Sequence, residues 1–167
     1  MRGATHFSGF EAIRMAMEIE HREHRFFVAL ARKAKSELLR DAFSGMAQDT
    51  ISLLRTLRFR LRDYSADGFW DDEEEILPYL QRLPGDLFNA VEAVKDRVES
   101  LSTDSEALTL AIEVEETLAG YFRDTSVRSS HLQGREAFEW LSGEKKRHAE
   151  ELKKRQNVLE AEATSGG

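Results

Sequence analysis

The chain has 167 residues with 24 Lys and Arg against 31 Asp and Glu, a net charge of -7, and such an acidic balance argues against nucleic-acid binding, which needs a basic surface facing the phosphates. It contains no cysteine, which excludes disulfides, thiolate metal sites and iron-sulfur clusters. No apolar run approaches the roughly 20 residues of a membrane span, and Met-Arg-Gly-Ala-Thr-His at the start lacks a signal-peptide core, so the expected location is the cytoplasm, with no membrane partner. At this length, with 33% charged and 41% hydrophobic residues and two prolines, both mid-chain, the expectation is a single all-α domain over residues 1-167, built from long uninterrupted helices.

A first helix is expected from Ser8, an N-cap with Glu11 three residues on, with an apolar stripe at Ile13, Met17, Phe27, Ala31 and Ala34. Glu20 and His24 fall within that stripe. A second helix starts near Ser36, carries Leu39, Phe43, Met46, Thr50, Leu53, Leu57 and Leu61 on one face, and ends by Tyr64-Ser-Ala-Asp-Gly68. The crossover, residues 65-102, holds an acidic run from Asp71 to Glu75 that reads as the start of a short helix, and a helical segment over Asp86-Val98. A cap near Ser102 to Asp104 opens the third main helix, whose face is Leu108, Ala111, Ile112, Glu115, Ala119 and Phe122. The fourth begins after Gly134 with Phe138, Leu141, Lys145, His148 and Leu152, and the closing Glu-Ala-Thr-Ser-Gly-Gly reads as a frayed tail.

One pattern occurs twice, 95 residues apart. Of the seventeen positions in Glu11-Phe27 and Glu106-Phe122, six are identical, among them the pair Glu20 and Glu115. The same offset carries Phe43, Met46, Thr50, Leu53 and Leu57 onto Phe138, Leu141, Lys145, His148 and Leu152. The fold expected is therefore a four-helix bundle made of two repeated helical hairpins, about 8-64 and 103-160, joined by a long crossover containing short extra helices.

Met-Ala-Met-Glu-Ile-Glu20 through Phe27, and Leu-Ala-Ile-Glu-Val-Glu115 through Phe122, resemble the rubrerythrin branch of the ferritin-like superfamily, and the likeness covers most of the chain. The resemblance implies a bundle, often a homodimer, in which two single glutamates and two Glu-x-x-His motifs hold two irons or manganese ions for oxidoreductase chemistry. Glu20 and Glu115 match the single glutamates and His148 matches the last histidine. The chain departs from the pattern at Thr50 and Leu53, where the second helix lacks Glu-x-x-His, and at Lys145, which replaces the glutamate of the fourth helix. It also lacks the cysteine-rich rubredoxin segment. A standard di-iron centre is not expected, and whether the chain is an enzyme stays open.

Two readings of the site follow. Carboxylates on apolar faces need cations or donors, and Lys145, with His148 and His24 alongside, supplies a cation for one or both of Glu20 and Glu115 in a metal-free cluster with a binding or structural role. In the alternative, a single transition-metal ion, Fe, Mn or Zn, sits among Glu20, Glu115, His148 and His24, with Glu23 and Glu144 within helical reach. The series Arg55, Arg58, Arg60 and Arg62 reads as the solvated side of an amphipathic helix, and His6, His21 and His131 as surface residues.

Overall fold

A computed structural model describes residues 9-62, 96-129 and 132-166. All regular structure in these residues is helical: α1 over Gly9–Lys33, α2 over Glu37–Arg62, α3 over Asp104–Arg128 and α4 over Leu132–Ser165, with a short helical stretch at 96-99. The expected cap at Ser8, the end of the second helix at Tyr64-Gly68, the acidic run Asp71-Glu75, most of the segment Asp86-Val98, and His6 and His131 lie outside the described residues.

Local signals place the ends. The Ser36 hydroxyl accepts from the backbone N–H of Leu39 at 3.2 Å, and α2 starts one residue later. Thr103 is extended and accepts from the N–H of Glu106 at 3.1 Å, while the Glu106 carboxylate reaches back to the N–H of Ser102 at 2.8 Å, so one orphan amide of the first turn and the amide ahead of the cap are both satisfied. Two boundaries differ from the sequence reading. α4 starts at Leu132, ahead of Gly134, and it continues to Ser165 instead of fraying over the last residues. Strong helix formers, Glu160-Ala-Glu-Ala, lead out of the core and nothing breaks the helix before Gly166.

The helices pack as consecutive pairs, α1 with α2 and α3 with α4, and α1 also packs on α4. Their buried faces interdigitate in one core that includes Ile19, Phe27, Phe43, Leu57, Leu108, Phe122, Phe138 and Leu152. Within the first pair Phe27 meets Phe43 with ring centroids 6.3 Å apart; within the second, Phe122 meets Phe138 at 5.9 Å. Each inner ring is met edge-on by its chain neighbour, Phe26 on Phe27 and Tyr121 on Phe122, both at 60°. Arg60 lies over the Trp140 ring at 5.0 Å, which ties α2 to α4 through a cation-π contact.

Asp104 joins the pairs at one end. Its two carboxylate oxygens accept from the backbone N–H groups of Lys35 at 2.8 Å and Ser36 at 3.0 Å, in the turn between α1 and α2, while the residue itself occupies the first position of α3. Replacing Asp104 by Ala removes both charge-assisted bonds and leaves two amides in the turn without their acceptor. The expected cost is about 2 kcal/mol, measurable as a shift of the urea midpoint at unchanged slope.

Candidate functional site

Halfway along the bundle five ionisable side chains among the described residues have no solvent exposure: Glu20, Glu23, Glu115, Lys145 and His148. Helical spacing explains why they meet. Glu20 and Glu23 are three apart on α1, Lys145 and His148 three apart on α4, and each pair therefore shares one helix face. Glu115 comes from α3. From α2 come Thr50, fully buried, and Leu53, 6% exposed; the Thr50 hydroxyl donates to the Met46 carbonyl at 3.0 Å within its own helix.

Lys145 is the cation of the cluster. Its Nζ lies 2.7 Å from Glu20 Oε1, 2.8 Å from Glu20 Oε2 and 2.5 Å from Glu23 Oε2. Burial alone depresses an ammonium pKa, but Glu20, Glu23 and Glu115 outweigh it and hold Lys145 above its ordinary value, so it is charged at any physiological pH. Glu115 is turned the other way, its Oε2 3.3 Å from His148 Nδ1. His148 Nε2 faces outward, 3.4 Å from Asp49 Oδ2 and 3.3 Å from Arg147 Nη2. Burial, followed by the Lys145 charge, lowers the His148 pKa, which keeps the imidazole neutral.

The negative charge exceeds the positive. Three carboxylates share the interior with one ammonium, and each resists ionisation. Burial pushes Glu20 to about 8 against the opposing pull of Lys145; it pushes Glu23 to about 8, with the adjacent Glu115 adding to the rise; and it raises Glu115 as well. Glu23 Oε1 and Glu115 Oε1 are buried and meet no donor among the described residues. The two carboxyls are close enough to hydrogen-bond one another when a proton lies between them. One ligand atom from each of Glu23, Glu115 and His148 falls within 4.8 Å of the others, so the described residues include one buried group of carboxylate and imidazole donors able to hold a metal ion.

Of the two glutamates expected as partners, Lys145 pairs with Glu20, and its second partner is Glu23 in place of Glu115. His24 is a turn away from the cluster, its Nδ1 3.0 Å from the Ala47 carbonyl. Glu144 sits at the edge, bound to Arg147 at 2.8 Å. Asp49, 3.4 Å from the outer nitrogen of His148, is not among the residues the sequence singles out. Its signal was the 95-residue offset, which places it opposite Glu144 and next to Thr50.

No helix among the described residues is long and apolar enough to cross a membrane. No family model, no curated protein and no solved structure matches the chain.

Proposed function

We propose that the chain is a rubrerythrin-like four-helix bundle, built from two repeated hairpins, in which a lysine has taken over the neutralising role of one metal, leaving a binding or structural protein instead of a di-iron oxidoreductase. The observation that carries this reading is the ammonium of Lys145, fully buried and within 2.8 Å of both oxygens of Glu20 and 2.5 Å of Glu23. The matched ring pairs Phe27 with Phe43 and Phe122 with Phe138 support the repeat, since the same offset relates both partners. A dinuclear centre does not fit these residues. The Thr50 hydroxyl is spent on Met46, Leu53 offers no ligand atom, and a second divalent ion would sit against the Lys145 charge.

A fixed ion pair between α1 and α4 specifies which helix faces meet more than it stabilises them, because two desolvated charges offset much of their own attraction. Anaerobic loading with excess Fe(II), followed by desalting and a peroxide-reduction assay, tests the reading. The expected result is fewer than two irons per chain and no turnover above free iron. Two irons per chain with sustained peroxide reduction would overturn it.

A further inference from the structure

The cluster has two sides, and Lys145 serves only one. Glu23 divides its oxygens between them: Oε2 meets the ammonium at 2.5 Å, while Oε1 has no donor among the described residues. On that second side lie Glu115 Oε1, also buried and, apart from a proton the two carboxyls can share, without a donor among the described residues, and His148 Nδ1, 3.3 Å from Glu115 Oε2. Burying such oxygens bare is costly. Two carboxylates and one neutral imidazole are the donor types that first-row divalent ions take. Their separations, within 4.8 Å, are near the roughly 3.4 Å between ligands of a tetrahedral ion with bonds of about 2.1 Å, a gap that side-chain rotation closes.

We infer that Glu23, Glu115 and His148 bind one divalent first-row transition-metal ion, with the Glu23 carboxylate bridging that ion to the Lys145 ammonium. One divalent charge also brings the three carboxylates and the ammonium to neutrality, which a buried cluster requires. Asp49 Oδ2 lies 3.4 Å from His148 Nε2, in place to accept its N–H once Nδ1 holds the ion, as carboxylates do for metal-bound histidines. Three protein ligands leave a position for water or a small anion. The inference goes beyond the reading of Lys145 given above, and metal stoichiometry separates the two.

Full-length protein stripped with EDTA and titrated calorimetrically with Zn(II) or Mn(II) is expected to take up one ion per chain. Its Tm should rise by about 5–10 °C at a free metal concentration a hundredfold above Kd. Glu115→Gln and His148→Ala should each weaken binding at least tenfold, Asp49→Asn about tenfold, and Glu20→Gln should leave the stoichiometry at one. The wild-type titration needs no variant to fold. No retained metal and no Tm shift in the wild type would overturn the inference and leave the Lys145 reading standing. Equal affinity in a helical Glu115→Gln protein would also overturn it. Two ions per chain would overturn both.

Discussion

Lys145→Met is expected to destabilise the metal-free protein by about 3–5 kcal/mol at pH 7, lowering Tm by about 10 °C. Methionine keeps most of the lysine volume, so the loss is electrostatic and not a cavity effect. With the ammonium in place the three buried carboxyls share a proton at pH 7; without it the cation between α1 and α4 is gone, and a further carboxyl must take a proton or leave the interior. The loss should therefore be conditional on its partners. Adding Glu20→Gln and Glu23→Gln to Lys145→Met removes the uncompensated charges, and the triple variant should recover to within about 2 kcal/mol of the wild type. Chemical denaturation in EDTA measures four proteins, the wild type, Lys145→Met, the Glu20→Gln with Glu23→Gln variant and the triple variant, and the coupling is the difference between the loss in the wild-type background and that in the Gln background. A Lys145→Met loss below about 0.5 kcal/mol, or one that is the same in both backgrounds, would show that the ion pairs do not hold the two helices.

The residues that made the fold legible are those whose chemistry is local. Ser36 and Thr103 cap their helices from positions the chain pattern marks out, because a hydroxyl three residues ahead of a free amide is a sequence-level device. Phe27, Phe43, Phe122 and Phe138 were legible through the 95-residue offset, and all four are fully buried. The end of α4 was not legible: a Gly-Gly terminus suggests fraying, whereas the helix former run before it carries the helix on to Ser165. Within the site, the stripes identified Glu20, Glu115, Lys145 and His148 as inward-facing. Periodicity along one helix says nothing of azimuth between helices, so it did not fix which carboxylate the ammonium meets. Glu23, three residues beyond Glu20, reaches both Lys145 and the Glu115 side, and that bridging role depends on how α1 sits against α3 and α4. His24 lies on the edge of the same stripe, but its imidazole is spent on the Ala47 carbonyl across α2.

Metal-free protein should become less stable between pH 6.5 and 8.5, the reverse of what paired carboxylates usually give. The groups that face one another in the site are Glu20 and Glu23 from α1, Asp49 from α2, Glu115 from α3, and Lys145, Arg147 and His148 from α4. Glu20 and Glu23 are raised from 4.5 to about 8 in the folded chain. Around one ammonium the coupled carboxyls share, between those values, one proton that the unfolded chain has lost, so stability is fully present below about 4.5 and is lost as pH rises through about 8. His148 acts with the opposite sign, since its lowered pKa costs stability only below 6.5, where the unfolded imidazole charges. Lys145 stays charged in both states over this range. Above pH 6.5 the carboxyl slope alone is left, and one proton lost over 1.5 pH units amounts to about 2 kcal/mol, or a Tm lower by about 4–8 °C. Because the three carboxyls titrate as a coupled unit, Glu23→Gln should flatten the slope without abolishing it, and Glu20→Gln with Glu23→Gln should remove most of it. A wild-type Tm that is constant or rising from pH 6.5 to 8.5 in EDTA would mean that the interior holds its carboxylates ionised without help from protons, and the excess negative charge that favours a metal at Glu23, Glu115 and His148 would then have to be balanced by Lys145 alone.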